Sequence, residues 1–226
     1  MMTYRSASIP RPMICGVDEA GRGPVLGPLV VAAVMLENDA PLRELGVRDS
    51  KKLTARRREE LAPRIKELAR VEIEVVSVEV IDEKTNDHLL NELEAEVFAR
   101  LIDKLNPECA YIDACDPNER RFSSMVSGRL VCQPRLVCEH KADVRYPVVS
   151  AASIIAKTVR DAQVRELEAL VGEPIGTGYA HDPTTRAFLE KWINKNGIPP
   201  PQTRRSWATT KRAESLARNS RLTDWD

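Results

Sequence analysis

Apolar positions along this 226-residue chain fall into two periods. Residues 13–17 and 29–36 (LVVAAVML) are short, nearly continuous apolar runs, the second rich in β-branched side chains, with Pro24 and Pro28 between them. They predict two strands joined by a Gly/Pro turn. The stretch LTARRREELAPRIKELA from Leu53 has the spacing of an amphipathic helix with Thr54 as its N-cap. Residues 71–80 alternate acids with valine and isoleucine and predict a half-buried strand. Leu89, Leu90, Leu93, Val97 and Leu101 predict one long helix over 86–105. Strands follow at 109–113 (CAYID) and 134–139, and helices at 147–171, from Asp182-Pro183 onward, and at 204–218. The order predicts an α/β fold with a mixed sheet and a helical C-terminal extension. The expected division is a catalytic body, 1–175, and a helical segment, 176–226.

Charge adds an asymmetry. Lys and Arg balance Asp and Glu at 34 each, yet residues 186–226 carry nine basic and four acidic side chains. A basic tail behind an acidic body suits an anionic polymer and a metal-binding site. Five cysteines without CxxC spacing argue against a disulfide framework or a zinc site. No apolar run approaches membrane length and the first residues lack a signal-peptide stretch, so a cytoplasmic protein is expected.

The chemistry concentrates in CGVDEAGRGPVLGP, residues 15–28, where Asp18 and Glu19 precede a glycine-framed Arg22. A dinucleotide fingerprint fails because a strand, not a helix, follows the glycines, and because the two acids would repel phosphates. A P-loop fails because no Lys-Ser/Thr follows. Adjacent acids at a strand end suit a hard divalent cation that bridges to substrate phosphate. Asp113 ends another strand, and Asp143 precedes the helix opened by Pro147, so four acids can converge. In that helix Ser150, Ser153, Lys157 and Arg160 fall along one face, a row of hydroxyls and cations that matches phosphate oxygens.

GVDEAGRGPVLGPLVVAAV, DSKKLT, YIDACD, KADVRYPVVSAASIIAKTVRD and GTGYAHDPTT, in that order, closely resemble the signature blocks of ribonuclease HII, particularly its archaeal branch. The resemblance runs from about Cys15 to Leu189. It implies an RNase H-like fold and metal-dependent cleavage of RNA in RNA/DNA hybrids and at ribonucleotides within duplex DNA. The related type HIII enzymes carry an extra N-terminal domain, and the short segment before the first motif favours type HII.

Carried over position by position, the resemblance implies that Asp18, Glu19, Asp113 and Asp143 are catalytic and bind metal, Mg²⁺ or Mn²⁺, with two ions per site. It implies that Gly21, Arg22 and Gly23 recognise the ribonucleotide and that Tyr179 senses the junction. Lys51, Asn86, Ser150, Ser153 and Lys157 resemble phosphate contacts. The Tyr179 block departs from the family's pattern at Thr177, Ala180 and His181.

The parts explain the chemistry. Two cations about 4 Å apart activate water and stabilise the leaving oxygen, giving 3′-hydroxyl and 5′-phosphate ends. Glycines let the backbone reach a 2′-hydroxyl. The expected roles are primer removal and ribonucleotide excision repair, by a monomer. Two rivals stay open: a non-catalytic nucleic-acid-binding module, and another RNase H-like nuclease such as a junction resolvase. The basic segment, including Arg204, Arg205, Lys211 and Arg212, is expected to anchor the duplex. Asn219, Leu222 and Trp225, spaced i, i+3 and i+6, look like a degenerate sliding-clamp motif.

Overall fold

The computed structural model describes residues 12–47 and 53–223, with side chains of the last helix as far as Asn219. Its elements are β1 (Ile14–Ala20), β2 (Leu29–Leu36), α1 (Ala40–Glu44), α2 (Ala55–Leu68), β3 (Arg70–Val76), α3 (Val78–Asn86), α4 (Leu90–Leu105) and β4 (Cys109–Asp113). These are followed by α5 (Glu119–Ser127), β5 (Arg135–Glu139), α6 (Ala142–Arg145), α7 (Pro147–Val171), α8 (Pro183–Asn196) and α9 (Ala208–Thr223). The five strands form one mixed sheet in the order β3-β2-β1-β4-β5, antiparallel on the β3 side of β1 and parallel beyond it.

Side-chain alternation sorts the core into two layers. Cys15 and Val17 of β1 and Val31 and Ala33 of β2 pack with Leu93, Val97 and Leu101 of α4 on one face. Ala20, Val30, Ala32 and Val34 pack with α2 and with Val148, Val149 and Ala152 of α7 on the other. All eight residues of β2 are buried, because both faces are covered. Helix α7 lies directly on β1 at Gly16. A Cβ there would stand 2.3 Å from the Val148 carbonyl carbon, so only glycine permits the approach. Pro147 fits the first turn of α7, and Gly172, at φ +74°, ends it.

Several boundaries differ from those the sequence predicts. The strand expected over 71–80 ends at Val76, because Val78 and Ile81, spaced i and i+3, are buried on a helix that starts after Ser77. The single helix expected over 86–105 is two, broken at 87–89, where His88 has a φ of +60°. The last helix starts at Ala208, not at 204. The predicted cap is present: Thr54 Oγ1 accepts from Arg57 N at 3.2 Å. Two smaller apolar clusters seat the C-terminal segment. Val25 packs with α8 and α9, and Leu26 packs with Val164, Leu167 and Phe188.

Candidate active site

Asp18 and Glu19 are consecutive on β1, so their side chains leave opposite faces of the sheet. Asp18 shares the face of Ala20 and points to the α7 side; Glu19 shares the face of Val17 and points to the α4 side. Asp113, two residues after Tyr111, lies on the α7 side of β4. It accepts a hydrogen bond from Ala142 N at 3.1 Å, which fixes the start of α6 and places Asp143 beside it. Carboxylate oxygens of Asp18, Asp113 and Asp143 lie within 4.8 Å of one another.

Glu19 stands in a second group with Glu94 and Cys115, on the other side of the strand end. The four predicted acids therefore form three plus one, linked through the backbone, where Glu19 N donates to Asp18 Oδ1 at 2.8 Å. Burial, then the charges of Glu19 and Asp113, hold the Asp18 carboxyl well above the ordinary carboxylate range. Ser153 and Lys157 of α7 oppose that shift, and Lys157 Nζ donates to Ser153 Oγ at 2.8 Å. Burial and the Asp113 charge push Glu19 up to about 7, against the pull of Arg22.

The Arg22 side chain, half-buried, reaches toward α4. It pairs with Glu94, which is fully buried on α4, and its Nη2 donates to Asn91 Oδ1 at 2.7 Å. Asn91 Nδ2 donates in turn to Asp116, which also accepts from Arg121 Nε at 2.9 Å. Within the motif Gly21 is buried, Arg22 half-buried and Gly23 exposed. Gly21 has a φ of +88°, and a Cβ on it would meet the Pro28 carbonyl oxygen at 2.5 Å. Tyr179 is half-buried against this turn, with Arg160 Cζ 5.2 Å from its ring centroid and the His181 ring at 5.4 Å. A cavity of about 520 Å³ is lined by Glu19, Gly21, Arg22, Gly23, Lys157 and Tyr179, among others.

The remaining predicted positions are distributed differently. Ser150 and Ser153 are fully buried, and Arg160 nearly so, so the polar row of α7 faces the interior. Asn86 is exposed at the end of α3. Lys51 and Trp225 lie outside the described residues, as does the Leu222 side chain; Asn219 is exposed. Arg204, expected to meet phosphate, is instead fully buried and donates to backbone carbonyls of the β1–β2 turn. Sequence reasoning also missed Asn91, Glu94 and Asp116. Glu94 leaves a signal, as an acid on the apolar face of α4, four residues from Leu90 and from Phe98.

Buried carboxylates at strand ends of a mixed sheet, with a lysine and serine from the crossing helix, define a metal-dependent nuclease of the ribonuclease H-like class. The sequence profile of the Ribonuclease HII family matches residues 15–210. Ribonuclease HII of Pyrococcus abyssi is 43% identical over 215 residues, covering 93% of this chain and 95% of that protein. The Thermococcus sibiricus enzyme is 46% identical over 204 residues, covering 88% and 90%. The crystal structure of ribonuclease H2 from Pyrococcus horikoshii superposes with a TM-score of 0.85 at 40% identity, covering 91% of this chain and 99% of that one. RNase HII of Archaeoglobus fulgidus, solved in complex with PCNA, gives 0.82 at 44% identity, covering 88% and 96%. This chain belongs to the ribonuclease HII family and is a divalent-metal-dependent ribonuclease H that cleaves the RNA strand of RNA/DNA hybrids.

Proposed function

We propose that this enzyme incises duplex DNA on the 5′ side of an embedded ribonucleotide, as well as longer RNA tracts, leaving 3′-hydroxyl and 5′-phosphate ends. The observation that carries the reading is the three-aspartate cluster at the end of β1, directly before the Gly21–Gly23 turn, whose cavity Glu19, Lys157 and Tyr179 also line. The donor set fits a hard cation: three carboxylates offering oxygen, Asp18 and Asp143 buried and Asp113 half-buried, with the Asp18 carboxyl raised by burial and then by neighbouring negative charge. Asp18, Asp113 and Asp143, with Glu19 alongside, would hold Mg²⁺ or Mn²⁺, two ions per site. The bound ions supply a nucleophilic water and charge stabilisation at the phosphoryl oxygens.

The chain's own groups select and orient the substrate. Peptide N–H groups of Gly21–Gly23 meet the ribose 2′-hydroxyl, the group that separates RNA from DNA. The Tyr179 ring lies against Gly23, where an added Cβ would be 3.8 Å from Cε1, and receives the adjacent deoxyribose. Lys157 neutralises charge on the scissile phosphate, and Ser153 holds the ammonium in place. Lys51 and Asn86 complete the phosphate contacts, whereas Ser150, fully buried, is withdrawn from that set. Such an activity serves ribonucleotide excision and primer removal, and a monomer suffices for it. The relative from A. fulgidus, solved with PCNA, supports a sliding-clamp contact here through Asn219, Leu222 and Trp225.

Tyr179→Ala tests the junction reading. Loss on a single-ribonucleotide duplex is expected to exceed loss on a long RNA/DNA hybrid by about tenfold, the worth of one sugar stack. Equal losses would make Tyr179 a packing residue.

A further inference from the structure

The turn between β1 and β2 is held by a segment about 180 residues away in sequence. Arg204 is fully buried, with Nε donating to Gly27 O at 3.0 Å, Nη1 to Arg22 O at 2.7 Å, and Nη2 to Gly21 O. Its backbone N–H donates to Val25 O at 2.9 Å, and Gly27 N donates to Gln202 O at 2.9 Å. Trp207 adds a bond from Nε1 to Gly23 O at 3.2 Å, while its ring lies 4.9 Å from the Arg204 guanidinium. Thr210 Oγ1 caps the arrangement by donating to Arg204 O at 2.9 Å. Carbonyls of residues 21, 22, 23, 25 and 27 all engage 202–207.

Peptide planarity converts this into a functional constraint. In a trans peptide the carbonyl and the following N–H point in opposite directions. Carbonyls of Gly21 and Arg22 turned onto Arg204 therefore send the N–H groups of Arg22 and Gly23 the other way. We propose that Arg204 is the positioning residue for ribose selection: it aims the Arg22 and Gly23 peptide N–H groups at the sugar while touching no nucleic acid itself. The proposal rests on reading Gly21–Gly23 as the ribose contact. Only a planar, multi-donor guanidinium can bind three carbonyls at once; a lysine ammonium is a point charge that would reach fewer of them. A second buried arginine acts similarly on the neighbouring loop, where Arg160 Nη2 donates to Thr177 O at 2.6 Å beneath Tyr179. The two loops that frame the cavity are thus each held through a carbonyl by a buried cation.

The test is equilibrium binding, in an Asp113→Asn background, to a duplex with one ribonucleotide and to its all-DNA counterpart. Arg204→Lys is expected to lose about tenfold of the preference for the ribonucleotide, the size of one or two hydrogen bonds, with all-DNA affinity unchanged. Ile193→Ala, in the apolar cluster beneath the same segment, serves as the reference, lowering the melting temperature while keeping the preference. Trp207→Phe keeps an aromatic ring beside Arg204 but lacks the indole N–H that bonds Gly23 O, and is expected to lose about threefold. An unchanged preference in either variant would overturn the proposal. So would a fall in both affinities that follows the loss of melting temperature, because that is what a purely structural arginine would give. Should the unsubstituted protein bind both duplexes equally, the ribose reading of the turn falls first and takes the proposal with it.

Discussion

Two concentrations of buried charge flank the same strand end, and they are compensated in opposite ways. On the α7 side, Asp18, Asp113 and Asp143 crowd within 4.8 Å, and burial, then the charges of Glu19 and Asp113, drive the Asp18 carboxyl toward its protonated form. Under the β1–β2 turn, Arg204 is as deeply buried, but its donors meet three backbone carbonyls, and its pKa falls only to about 10, mainly through burial. A guanidinium at that value stays charged at neutral pH. Crowded buried charges of one sign mark a place where an opposite charge is accommodated; a buried charge hydrogen-bonded to backbone carbonyls marks a support. In the proposed reading the acids would hold the cation, and the arginine would hold the shape that reads the sugar.

Removing one acid should separate the two regions most sharply. Asp113→Asn keeps the side-chain size and the acceptor for Ala142 N but removes the charge that raises Asp18 and Glu19. Cleavage is expected to fall on the order of 10³-fold, the scale of removing one preorganised electrostatic interaction. The melting temperature of the metal-free protein should rise by about 2–4 °C for each kcal/mol of repulsion relieved. A variant that is both inactive and less stable would mean that Asp113 is chiefly structural.

The pH profile of stability sharpens the same contrast. Glu19, raised to about 7, favours the metal-free fold most below the ordinary carboxylate pKa, and that contribution is lost as pH rises through about 7. Asp182, held near 2 by Thr177 and Thr184 N–H groups and the Thr177 hydroxyl, behaves oppositely: its contribution is present above the unfolded pKa and is lost as pH falls through about 2. Thermal melts of the metal-free protein should therefore decline between pH 5 and 8, and saturating Mg²⁺ should flatten the decline. A stability that rises over that interval would show the acid cluster to be already compensated.

The smallest effect concerns the basic face of α9. Arg204 is removed from the set of duplex contacts, whereas Arg205, Lys211, Arg212 and Arg218 are exposed. Arg212 lines a groove of about 540 Å³ between α8 and α9, with Arg186 and Leu216. Lys211→Gln/Arg212→Gln should lower the slope of log affinity against log salt by about one unit for each phosphate no longer neutralised, leaving kcat unchanged. An unchanged slope would assign these cations to solvent.

What can be read in the sequence follows from the range of the interactions. Strands β1, β2 and β4 and helix α7 are apolar runs whose period decides their type, and Thr54 announces α2 by a local bond to Arg57. Helix α5 leaves little signal because its nine residues bury only Phe122 and Val126. Helix α3 resembles a strand because the alternating valines through 80 fit period two; the helix declares itself only in Val78 and Ile81, three apart and both buried, with Val80 exposed. Within the site, the acids are legible because they sit at the ends of predicted elements: Asp18 and Glu19 just after a strand, Asp113 closing one, Asp143 before a helix. The split between Asp18 and Glu19 is implicit in strand alternation but has no visible consequence until α4 brings Glu94 to one side. Arg204 looks like a surface cation, since nothing local in TRRSW reveals carbonyls contributed by residues 21–27.

The central claim is that one site combines a metal-holding acid cluster with a backbone reader of ribose. Its most direct measurement is incision of a duplex with a single ribonucleotide, beside the all-DNA duplex of the same sequence, in Mg²⁺ or Mn²⁺ and again with EDTA. One cut is expected, 5′ to the ribonucleotide, with a 3′-hydroxyl end, abolished by EDTA and absent from the all-DNA duplex. Cleavage that persists in EDTA, or that occurs equally on both duplexes, would contradict that claim.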